Sequence, residues 1–107
     1  MTQPANVIDF KGIEGPVYTG RGRGESLRTT LHLDDLDLAG TEVEVDIPEG
    51  TYTISSSFFL GLFGPSVIRA GSKDAFYKRY HFNSPAFLKD VMDGYVARAL
   101  QTRNLFA

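Results

Sequence analysis

Apolar positions along the chain fall into short runs punctuated by glycine, proline and acidic residues. In Glu42–Ile47, Val43, Val45 and Ile47 alternate with Glu42, Glu44 and Asp46. This period of two predicts a strand with one apolar and one acidic face. Pro48 closes it, because proline has no N–H for a ladder. Val7–Phe10 and Val17-Tyr18 read as shorter strands separated by a turn at Gly12, Gly15 and Pro16. Phe76–Phe82 reads as a further strand, with Tyr80 and Phe82 set against Arg79 and His81.

Helical spacing is clearest at the end of the chain. Ser84-Pro85 combines a capping hydroxyl with a proline suited to a first turn, and Leu88, Val91, Met92, Tyr95, Ala99 and Leu100 then recur on one side. Leu27 and Leu31, four apart, predict a helix from Glu25 to about Leu33. Ser55, Ser56 and Ser57 precede the run Phe58–Phe63, which is apolar nearly all round and predicts a buried helix with a serine cap. Gly64-Pro65 predicts a kink or a fresh turn, and Gly71 a helix stop. Thr19–Gly24 is expected to be irregular, since three glycines in five positions cost backbone entropy. Asp34–Gly40 is expected to be a polar loop, and Glu49–Ile54 a connection. The order β-β-α-β-α-β-α implies an α/β fold, with a small mixed sheet of about four strands and about three helices packed on it.

Composition narrows the class. The 107 residues are 42% hydrophobic and 22% charged, as expected of one globular domain spanning residues 1–107. The absence of cysteine excludes disulfides, thiolate metal sites and cysteine nucleophiles. No apolar run approaches the roughly 18 residues that span a bilayer, and Met1–Phe10 has no basic segment leading an apolar one. A cytoplasmic location without membrane association is therefore expected. Residues 1–63 carry four basic and ten acidic side chains, whereas residues 64–107 carry seven basic and three acidic. Seven acids and no base lie between Asp34 and Glu49, which opposes nucleic-acid binding through the first half.

Two segments carry candidate chemistry. The amides at a helix N-terminus stabilise an added phosphate, so Ser55, Ser56 and Ser57 are candidate phosphoacceptors as well as candidate caps. Phe58 and Phe59 beside them would anchor a partner if one is exposed. Gly20, Gly22 and Gly24 leave amides free to converge on an anion, and Arg21 and Arg23 would add charge-assisted bonds to an anion or a protein partner. This is not a nucleotide-binding fingerprint, because no Gly-Lys-Ser/Thr follows. His32 and His81 have no partners at metal-ligand spacing, and no serine lies in a nucleophile elbow. No metal, cofactor or enzymatic activity is expected. Phe76, Tyr77, Tyr80 and Phe82, interleaved with Lys78, Arg79 and His81, read as core strand rather than as a base-stacking platform.

The run Tyr18–Leu31 (YTGRGRGESLRTTL), the strand VEVDI at 43–47 and the segment ISSSFFLGLFG at 54–64 together resemble the STAS-like domain family of unknown function. The likeness extends from about residue 16 to the end of the chain. It implies a small sheet with helices on one side and kinship with anti-sigma-factor antagonists. In those proteins a serine at the start of the second helix is phosphorylated by a histidine-kinase-like ATPase. Here that segment falls on Ser55–Ser57, with Ile54 or Ser55 in place of the family's aspartate and Phe58 in place of its glycine. The resemblance implies a non-catalytic regulatory module that docks a protein, such as that ATPase or an anti-sigma factor. A sensor binding a small anion or nucleotide through the Gly/Arg segment is the alternative. Two chains joining through an edge strand or through Leu105-Phe106 is left open.

Overall fold

The computed structural model describes residues 6–13 and 15–105. The chain is α/β. Its strands are β1 (Asn6–Asp9), β2 (Val17–Tyr18), β3 (Val43–Asp46), β4 (Thr53–Ile54) and β5 (Tyr80–Asn83). Its helices are α1 (Arg21–Thr30), α2 (Leu33–Ala39), α3 (Ser56–Ala70), α4 (Lys73–Arg79) and α5 (Ala86–Leu105), with a 3-10 turn at Phe10–Gly12. The expected single mixed sheet of about four strands with about three helices is instead two sheets, with five α-helices among the described residues. One has the order β1-β3-β5 and the other pairs β2 with β4. Every pairing among the described residues is parallel.

This topology follows from a repeated order. The chain runs through β1-β2-α1-α2, then through β3-β4-α3-α4, and ends with β5-α5. Each pass adds a strand to the larger sheet and, up to β4, a short strand to the smaller one. Ile8, Val43, Val45 and Tyr80 face inward and are buried. They meet Phe59 and Phe63 of α3, Phe76 of α4, and Leu88, Met92 and Val96 of α5 in one core. The outward positions alternate with them. Val7, Asp9 and Asn83 are exposed there, and Glu44, Asp46 and His81 are half-buried. A second aromatic group joins Phe10, Tyr18 and Phe58, with the Phe10 and Tyr18 ring centroids 5.0 Å apart edge to face.

Four expectations of irregular structure or strand are corrected. Thr53–Ile54, expected within a connection, is β4. Residues 21–24 are helical rather than loop, because α1 begins at Arg21. Asp34–Gly40, expected as a loop, forms most of α2. Residues 76–79 belong to α4, capped by Ser72, and the strand starts only at Tyr80. The proline does not break α3, which runs continuously through Pro65 to Gly71.

The glycines of α1 are tolerated because two of them are where backbones touch. A Cβ on Gly24 would overlap the Phe58 carbonyl oxygen and lie 2.9 Å from the Leu62 amide nitrogen. One on Gly61 would lie 2.5 Å from the Arg21 carbonyl oxygen. α1 and α3 thus approach closely at reciprocal glycines, and this contact offsets the low helix propensity of the sequence. Gly22 has nothing within 4 Å of its would-be Cβ. Gly24→Ala and Gly61→Ala should each lower stability by about 1–3 kcal/mol. Gly22→Ala should leave it unchanged or raise it by up to about 1 kcal/mol. Urea unfolding of the three variants reads the difference.

Candidate functional site

β2 and β4 are parallel neighbours, with Val17 opposite Thr53 and Tyr18 opposite Ile54. Their carboxyl ends therefore open at the same edge, and the Ser55 amide donates to the Tyr18 carbonyl at 2.9 Å. α1 starts just after one strand and α3 just after the other. The Gly/Arg segment and the serine segment are thus brought together as two adjacent helix N-termini, on the smaller sheet rather than on the main one.

The individual residues at this edge differ in role. Ser55 is the N-cap of α3, its Oγ accepting from the Phe58 amide at 3.1 Å. Ser56 is half-buried and Ser57 is exposed. Phe58 and Phe59 are 0% and 1% exposed, so the condition for their acting as partner anchors is not met; both are core. Gly20 has φ 96°, a conformation that favours glycine, and is the N-cap of α1 without a side-chain bond. Gly22 and Arg21 are exposed, whereas Gly24 is buried against α3. Arg23 lies over the Tyr18 and Phe58 rings at 5.4 and 5.7 Å, and its Nη1 donates to the Val17 carbonyl at 3.3 Å. That cation–π seat ties α1 to β2. Burial raises the Tyr18 phenol pKa, and Arg23 partly opposes the shift.

A groove of about 270 Å³ continues from this edge. Arg21, Glu25 and Arg28 of α1 form one wall, and Leu60, Gly61, Gly64, Pro65 and Ile68 of α3 form another, with Ala99 of α5. Ile68 is 41% exposed. A wider crevice of about 740 Å³ lies beyond the carboxyl ends of the larger sheet, between Asp9, Asp46 and Asn83 at the strand ends and Lys11, Glu49 and Lys89. None of residues 20–24 or 55–57 lines that crevice.

A buried polar cluster lies beneath the groove. Asp37 of α2 accepts from Tyr80 Oη at 2.6 Å, Ser66 Oγ at 2.5 Å and Arg28 Nη2 at 3.0 Å. Arg28 also reaches the Leu62 carbonyl at 2.9 Å, Ser66 Oγ at 2.8 Å and Asp34 at 2.6 Å. Arg79 and Arg69 flank Asp37 at 3.5 and 3.6 Å. The hydrogen bond and charge of Arg28 hold the Asp34 carboxyl below the usual carboxylate range. Asp93 is likewise lowered by Lys73 and Tyr77, and Tyr77 is raised by burial and by Asp93. Sequence reading missed this cluster. Its one signal was Asp37, a charged residue four positions after Leu33 and one after Leu36, on the stripe that a helix would bury.

Elsewhere His81 Nε2 pairs with Glu42 at 2.8 Å on the outer sheet face, and His32 lies 3.9 Å from Asp35. Among the described residues no group of three or more His, Asp or Glu is placed to hold a metal ion. No helix among them is long and apolar enough to cross a membrane. Phe106 lies outside the described residues. No family model, curated protein or solved structure matches the chain.

Burial, and after it the bond to Asp37, pushes the Tyr80 phenol up to about 12. A raised folded value gives stability that is complete below the unfolded value of 10 and is lost as pH climbs through the folded one. About 2 kcal/mol should therefore disappear between pH 10 and 12. Urea unfolding across that range should show the loss in the native chain and less of it in Tyr80→Phe.

Proposed function

We propose that this chain is a non-catalytic regulatory module of STAS-like, anti-sigma-factor-antagonist type that docks a protein partner at the edge shared by the N-termini of α1 and α3. The observation that carries this reading is the parallel pairing of β2 with β4. It starts α1 and α3 from one edge, and Arg21 at that edge also lines an apolar groove between the two helices.

Because Phe58 and Phe59 are core, the apolar contact falls to Leu60 and Ile68 in the groove, with Arg21 and Glu25 orienting the partner at its rim. A phosphoryl group on Ser57, the exposed serine, would add about two negative charges in the first turn of α3. That change of charge at the docking edge is the proposed switch, and a histidine-kinase-like ATPase is the proposed kinase. The alternative, a sensor for a small anion or nucleotide, rests on Arg21 alone among the two arginines, since Arg23 is committed to Val17, Tyr18 and Phe58.

The chain should be co-expressed with an ATPase of that class and its intact mass measured. One added phosphoryl group is expected, lost in Ser57→Ala and retained in Ser55→Ala and Ser56→Ala. Ile68→Asp should weaken capture of the ATPase at least about tenfold without changing the fold. Absence of both phosphorylation and capture would remove the reading. Nucleotide binding abolished by Arg21→Ala would favour the sensor instead.

A further inference from the structure

We propose that Arg28, Ser66 and Tyr80, with Arg69 and Arg79 at the rim, form a binding site for a small phosphoryl-type oxyanion, which α2 keeps closed with its own Asp37 carboxylate. The inference is independent of the reading at the α1–α3 edge.

Five donor side chains from α1, α3, α4 and β5 converge on one carboxylate. Arg28 is 6% exposed and Ser66 3% exposed, so the inner donors are built into the core. The two oxygens of Asp37 are already taken. Oδ1 is bonded by Tyr80, and Oδ2 by Arg28 and Ser66. Arg79 and Arg69 are left at 3.5 and 3.6 Å from those oxygens, beyond good hydrogen-bond length. Three guanidinium groups thus surround one carboxylate, and two of them stand at ion-pair distance without a hydrogen bond to it. Asp34 returns only one further negative charge and is itself exposed. A phosphoryl group presents three terminal oxygens and about two charges, which matches the donor set better than the side chain in place.

The element that supplies Asp37 is short, packs on the core through Leu33 and Leu36, and has a left-handed residue at each end. α2 has seven residues and is bracketed by His32, with φ 57° and ψ 42°, and Gly40, with φ 71° and ψ 24°. Both flanking residues are left-handed, and at His32 that conformation is uncommon for a residue with a side chain. Leu33 is fully buried, but Leu38 is 77% exposed. Arg79 also ties α2 through the Leu36 carbonyl and, just beyond the helix, through that of Thr41, each at 3.0 Å, and His32 lies beside Asp35. An entering oxyanion would recruit Arg79 and Arg69 and exchange for Asp37. The Asp37 end of α2 would then swing outward while Leu33 stays seated. Arg69 and Asp34, both solvent-accessible, mark the entrance.

Asp37→Ala removes the internal carboxylate and leaves the donors. Its melting temperature should rise saturably with inorganic phosphate and with formate, and not with chloride at equal ionic strength. Phosphate should act at a concentration roughly tenfold lower than formate, as one additional charge-assisted bond implies. If the variant does not fold unaided, the same titration reads the recovery of folded protein on refolding. In the native chain, phosphate should accelerate amide exchange over residues 33–40 and leave α3 unchanged. Response of Asp37→Ala to phosphate and formate no greater than to chloride would overturn the proposal. So would native 33–40 amides that stay indifferent to phosphate at a concentration saturating the variant.

Discussion

The close approach of α1 to α3 at Gly24 and Gly61 is the constraint on which the rest of the molecule depends. Two helices with side chains at those positions would stand further apart, since Cβ atoms there meet the opposing backbone rather than a flexible side chain. With the glycines in place, three consequences follow. The helix N-termini lie side by side at the end of the β2–β4 pair. Arg28, one turn after Gly24, reaches the Leu62 carbonyl and Ser66 across the interface. The groove between Arg21 and Ile68 has a floor of backbone at Gly61 and Gly64.

Those consequences divide the interface into an outer and an inner part. The outer part is a polar edge and an apolar groove open to solvent, suited to contact with another molecule. The inner part is a buried charged cluster that ties α1, α2, α3 and β5 together through Asp37. Replacing such a cluster with apolar side chains is often neutral or stabilising, whereas removing one partner from it is costly. Three guanidinium groups face two carboxylates there, and that excess of positive charge is what motivates an oxyanion site.

The elements legible in the sequence were those whose signal is local. The alternation of Val43, Val45 and Ile47, the serine cap at Ser55 and the stop at Gly71 each act within a few residues, and each is present. α5 starts just after Ser84-Pro85, at Ala86, and Ser84 Oγ donates to the Pro85 carbonyl. The adjacency of the Gly/Arg and serine segments follows from the parallel pairing of β2 with β4, a contact between distant parts of the chain. What was not legible depended on contacts distant in sequence. Helix at Arg21–Gly24 is bought by a backbone contact with residues 58–62. Helix at Leu33–Ala39 is hidden by a run of charges that locally reads as solvated loop, whereas Asp37 is buried against groups nine to forty-three positions away. The aromatic period over 76–82 masked a change from α4 to β5, because both elements send rings into the same core. The roles of Phe58 and Phe59 were likewise decided by burial, which residue type alone does not fix.

The proposed docking edge and groove, and the reach of Arg28 into the buried cluster, stand on the same helix–helix contact. Proton–proton cross-relaxation in solution tests it directly, because it reports separations below about 5 Å without altering the chain. The account requires cross-peaks from the Gly24 α-protons to the Leu62 amide and from the Gly61 α-protons to the Glu25 amide, matching the 2.9 and 3.1 Å separations between the glycine Cβ positions and those nitrogens. Cross-peaks from Leu62 and Glu25 amides only to their own helices would contradict it.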